Sequence, residues 1–210
     1  MEITASEFIS TWEAFMTFKI QTHDWKTHWH SNTEWSKMIL GGKKSSYEKS
    51  PIGQFFKDKY GEKNLRFRSE DGSVDLTLFD PSSVLEFTRL DKNWDFNTDK
   101  REDYPSYYLA IIEHENQLYS AWEEVAKLTY YRSRLKVLIT YNSNNLSVDK
   151  RNLEIKMMES SLKDVISKSN KTFPEHASTE YLLIMGAKDG DQLIWNYRIF
   201  DTNGEIVPQQ

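Results

Sequence analysis

The segment Tyr107-Tyr-Leu-Ala-Ile-Ile-Glu-His-Glu115 constrains this chain more than any other. Its run from Tyr107 to Ile112 is apolar and aromatic, and reads as a strand covered on both faces. The run then ends in acids. Side chains alternate along a strand, so Glu113 and Glu115 point one way and His114 the other. Two like charges beside a core repel, and burying them costs free energy unless something cationic neutralises them. A divalent metal ion is the usual solution for converging carboxylates. The plain alternative is a strand that stops at Ile112, with both glutamates solvated.

Composition narrows the field without choosing a function. A chain of 210 residues can form one domain with a sizeable core, and 7 Trp, 11 Tyr and 11 Phe supply much of it. With no cysteine, disulfides and thiolate metal sites are excluded. The opening Met-Glu-Ile-Thr-Ala-Ser-Glu lacks the basic and apolar runs of a signal peptide, and no apolar stretch approaches membrane-spanning length. A cytoplasmic protein with no membrane partner is expected. The net charge of −5 argues against non-specific electrostatic binding of nucleic acid, though a local basic groove stays open.

The first part of the chain reads as helical. Thr4-Ala-Ser-Glu7 has capping-box spacing before Phe8, Trp12, Phe15 and Phe18. A second box, Ser31-Asn-Thr-Glu34, precedes Trp35, Met38 and Ile39, and Gly41-Gly42 ends that helix. The histidine-rich stretch from His23 to His30 reads as aromatic packing with polar tips before it reads as a metal site. Ser50-Pro51 starts a helix carrying Ile52, Phe55 and Phe56 that ends at Gly61. Strands follow at Leu65–Ser69, Val74–Phe79 and Val84–Leu90. On the second, Val74, Leu76 and Leu78 share one face, and Asp75, Thr77 and Phe79 the other. Asp91 to Pro105 is charged and aperiodic, and reads as a long loop.

After the glutamate strand, Ser120-Ala-Trp-Glu123 opens a helix with Trp122, Val125, Ala126 and Thr129 on one stripe. Leu135–Thr140 is the next strand, and the helix between makes it parallel to the glutamate strand. A long helix from about Asp149 to Ser169 buries Leu153, Met157, Leu162 and Ile166. Strands Tyr181–Met185 and Leu193–Phe200 close the chain around the Lys188-Asp-Gly-Asp191 turn. One domain over residues 1–210 is expected, an α/β fold with a mixed central β-sheet flanked by helices.

This order of elements, with Asp75 on one core strand and Glu113-His114-Glu115 on the next, resembles the PD-(D/E)xK nuclease superfamily. The resemblance covers about residues 34–141 and implies a restriction-endonuclease-like core. Two departures stand out: Val74 replaces the motif proline, and Glu115 takes the motif lysine's place, as in a minority of the superfamily. The implied function is metal-dependent phosphodiester hydrolysis of nucleic acid, DNA before RNA, with Mg²⁺ or Mn²⁺. The alternative is a nuclease-like module without catalysis, serving binding or structure, and a homodimer is one assembly considered.

Phosphodiester hydrolysis needs a metal that neutralises charge and activates water. Asp75 and Glu113 would supply hard oxygen ligands, with the His114 carbonyl between the glutamates as a further donor. Glu115 would orient the water or hold a second ion. Glu34 is the candidate extra helical carboxylate, unless it only caps its helix. Lys127 is a candidate catalytic lysine moved to the following helix, unless it only pairs with Glu123 one turn away. Lys43, Lys44, Arg66 and Arg68 would track a phosphate backbone, or be ordinary solvated charges.

Overall fold

The computed structural model describes residues 1–29, 33–41, 50–71, 74–90, 96–142 and 146–208. Helix α1 (Ala5–Thr22) starts where expected. The Thr4 hydroxyl accepts from the Glu7 backbone and the Glu7 side chain accepts from the Thr4 N–H, which satisfies two otherwise orphaned donors. Two short helices follow, α2 (Trp25–His28) and α3 (Glu34–Ile39). Helix α4 (Pro51–Tyr60) is capped by Ser50 and stopped by Gly61 at φ 83°, a backbone angle that favours glycine. Together these helices lay Phe8, Trp12, Trp35 and Phe56 over one face of a sheet. Phe18, expected on the same stripe, is exposed.

That sheet has seven strands: β1 (Arg66–Asp71), β2 (Val74–Phe79), β5 (Tyr108–His114), β6 (Ser133–Tyr141), β7 (Glu180–Asp189), β8 (Gln192–Phe200) and β9 (Ile206–Val207). Taken in that order across the sheet, β2 runs antiparallel to both β1 and β5, and β5, β6 and β7 run parallel. The strands β8 and β9 return antiparallel. Helix α5 (Ala121–Leu128) makes the crossover between β5 and β6, as the sequence implies. Helix α6 (Val148–Thr172) joins β6 to β7. Ile155, Met158, Leu162 and Ile166 of α6 pack with Val125 of α5 against Leu138, Leu183 and Met185. Full burial of each such side chain stabilises by about 1.5–3 kcal/mol. The result is a mixed sheet flanked by helices.

Several local expectations change. Residues 96–105 are a strand, β4 (Phe96–Pro105), which pairs antiparallel with β3 (Val84–Leu90) in a separate two-stranded sheet. A ribbon outside the main sheet is held by main-chain hydrogen bonds and needs no apolar alternation, so its sequence looks like a loop. On α6, Leu153 and Met157 are exposed and the neighbouring stripe is buried instead. Two overlapping apolar stripes share Leu162 and Ile166, and packing on the sheet decides between them. On α5, Ala121, Val125 and Leu128 face inward while Trp122 lies in solvent. Ser120 makes no side-chain cap bond there. Finally, Val74 packs with Phe79 and Leu128 rather than with Leu76 and Leu78.

Candidate functional site

The register of β2 on β5 pairs Leu76 with Ile112, so the next step along the antiparallel ladder sets Asp75 opposite Glu113. Like charges directly opposite across a ladder destabilise it unless a proton or cation intervenes. A cation is present, and the Asp75 Oδ2 also accepts the His114 backbone N–H at 2.8 Å. From α5, the Lys127 Nζ lies 3.1 Å from the Glu113 Oε1 and also forms an ion pair with Glu124. Two carboxylates therefore meet one ammonium, with Asp75 on the neighbouring strand behind Glu113.

Glu113 is 2% exposed, whereas the Lys127 side chain is 36% exposed and forms the solvent edge of the cluster. Burial, then the charge of Asp75, pushes the Glu113 carboxyl up to about 9 against the attraction of Lys127. Asp75 is also raised, chiefly by burial and against its bonds from His114 and Glu113. Burial alone would lower the Lys127 ammonium, but its bond to Glu124 and the charge of Glu113 outweigh that and hold it above the ordinary lysine range. Because such paired groups titrate together, the retained proton belongs to the Asp75–Glu113 pair. At neutral pH the pair therefore keeps a proton that solvated carboxyls have lost.

The structure thus joins Asp75, Glu113 and Lys127 and adds Glu124. It separates the remaining candidates. Glu115 turns back to accept the Gln117 backbone N–H at 2.7 Å, capping the loop after β5. The His114 ring leaves on the opposite face of the sheet, where its Nε2 sits 2.7 Å from the Tyr141 hydroxyl. Glu34 is ion-paired with Lys37 on its own helix at 2.7 Å. Arg66 is exposed, and Arg68 lays its guanidinium over the Phe79 ring at 5.3 Å. Lys43 and Lys44 lie outside the described residues. Lys127 pairs with Glu124 and Glu113, not with the expected Glu123, and its three-residue spacing from Glu124 was the available signal.

Among the described residues no group of three or more His, Cys, Asp or Glu side chains is arranged to hold a metal ion. Only Asp75 and Glu113, of the expected ligands, converge, and the Lys127 ammonium lies against the Glu113 oxygen. Nor, among the described residues, is any helix long and apolar enough to cross a membrane.

No family model matches this chain, and no curated protein matches it. Among solved structures it is similar to a carbon–nitrogen hydrolase from Helicobacter pylori G27, with a TM-score of 0.39 and 7% identity. The match covers 74% of this chain and 61% of the hydrolase, so it spans less than two thirds of that protein. The neighbour is a hydrolase of a different kind, and the expectation of a DNA-binding, metal-dependent nuclease or a nuclease-like module is corrected accordingly. A likeness this distant gives the chain no activity in exchange.

Proposed function

We propose that Asp75, Glu113 and Lys127 form the acid–base centre of an enzyme. The observation that carries this reading is a pair of facing carboxyls buried beneath a lysine 3.1 Å from Glu113, where burial pushes both acids above the ordinary carboxylate range. Carboxylic acids with raised pKa values beside a cation are the groups that donate protons in catalysis near neutrality. Lys127, at the solvent edge, neutralises a developing negative charge on the substrate. The Asp75–Glu113 pair behind it gives or takes the proton. Glu124 holds the ammonium in place, and the His114 N–H holds Asp75.

We also propose that β1, β2, β5, α5 and β6 form a restriction-endonuclease-like core, with the β3–β4 ribbon inserted between β2 and β5. Supporting this are the antiparallel run followed by one parallel crossover, and the acids on β2 and β5 beside a lysine from the next helix. This relation concerns chain path alone. The Mg²⁺ or Mn²⁺ of the resemblance stays a proposal confined to Asp75 and Glu113. The described donor set falls short of a full site, so no chemical step is routed through a metal.

The test is turnover of a chromogenic panel of esters and amides by parent protein, Glu113→Gln and Lys127→Met. Turnover by the parent that falls about a hundredfold in both variants, with the fold intact, supports the centre. Equal turnover in all three proteins places the chemistry elsewhere.

A further inference from the structure

At the opposite end of the sheet, where β6 and β7 begin, lies a cavity of about 790 Å³ lined by residues 129–134 and 172–176. Its walls are aromatic: Tyr130 and Phe173 are largely exposed, and Tyr107 partly so. Large aromatic side chains left in water around one concavity mark a binding surface rather than a core. Its charge is the second observation. Arg132 and Arg134 both line it, in a chain of net charge −5. The one acid in the lining, Glu175, is turned to Lys136 at 2.6 Å and to the Tyr181 hydroxyl. Arg134 has Glu2 at 3.7 Å, an exposed pairing of little strength, and the same Nη1 touches the Ser178 hydroxyl and lies 3.4 Å from the His176 Nδ1, which leaves its other nitrogens for a ligand. His176 completes the set. Its Nδ1 accepts the Ser178 backbone N–H at 3.2 Å, which leaves the proton of a neutral ring on Nε2 as a donor.

We propose that this cavity binds a small ligand in which a planar aromatic ring is joined to a phosphate. Two guanidiniums and an imidazole donor match a dianion with several acceptor oxygens, and arginine suits phosphate through paired donors. Tyr130 and Phe173 offer ring faces for stacking, which any planar base satisfies. The site shares no residue with the acid–base centre, so it stands or falls independently.

The probe is adenosine 5′-monophosphate, titrated calorimetrically into the whole chain, with adenosine and inorganic phosphate as separate arms. Saturable binding is expected, at least about tenfold weaker for either fragment and in Arg132→Ala, a change of about 1.4 kcal/mol per tenfold. Lys163→Ala, which removes a distant exposed charge paired with Glu205, should leave binding unchanged. Circular dichroism of each variant separates lost binding from lost fold, and Tyr130→Ala serves as the second variant if Arg132→Ala unfolds. The proposal is overturned if the nucleotide does not bind saturably, if phosphate alone binds as well, or if the lining variants bind like the parent.

Discussion

Two lysines meet carboxylates beside this sheet, and they do so on opposite terms. Lys136, on β6, has a fully buried side chain and faces a single acid, Glu175, with the Tyr181 hydroxyl completing the group. Its ammonium is lowered by burial and held up by that one counter-charge. One cation meets one anion, and nothing is left over. Lys127 instead meets Glu113 and Glu124 beside a ladder position where Glu113 and Asp75 oppose each other. There the acids outnumber the cation, and a proton held by the Asp75–Glu113 pair reduces the excess. Matched buried charges hold a structure together, whereas mismatched ones store a proton that chemistry can use.

The largest effect should come from breaking the matched pair. Glu175→Gln leaves the Lys136 ammonium buried without its counter-charge and should cost about 3 kcal/mol in chemical denaturation, against the 13% exposure of the Glu175 side chain. A cost below about 1 kcal/mol would show that the pair is solvated and that the contrast with the Lys127 cluster is false.

Next in size is Lys127→Met. Discounted for the partial exposure of the lysine, the loss should be about 1 kcal/mol, and Glu113 should titrate higher still once its cation is gone. An unchanged Glu113 titration would mean that the two groups are not coupled.

The last effect has the opposite sign: in Glu113→Gln the amide resembles the protonated acid of the folded state but has no proton to release on unfolding, so the variant should be no less stable than the parent at neutral pH. Its signature is in the pH profile. The folded pKa of Glu113 lies above its ordinary 4.5, so the folded state holds a proton that the unfolded state releases. Stability from this group is full below the ordinary value and is lost as pH rises towards about 9. The variant should flatten that decline. A decline of equal slope in parent and variant would assign it to other groups.

Much of this contrast was legible in the residues. The strand ending in Glu113, the placement of Asp75 and the parallel crossover through α5 all follow from local periodicity and short connections. The approach of Lys127 to the acids follows from the same crossover, though its second partner was misjudged by one position on the helix. Lys136 and Glu175 are 39 residues apart, and nothing local announces that β6 and the segment before β7 will enclose them together. The turn taken by Glu115 was hidden as well, because its partner is a backbone N–H that every residue but proline offers. Of the β3–β4 ribbon only β3 shows in the sequence; β4 is charged and aperiodic, and pairing without burial leaves no alternation to read.

The most direct measurement is the titration of the Glu113 carboxyl by carbon-13 NMR of side-chain-labelled protein, assigned through Glu113→Gln. A midpoint near 9 is predicted, with a linked perturbation at Asp75. A midpoint in the ordinary carboxylate range, about 4 to 5, would contradict the claim that this cluster keeps its proton at neutral pH.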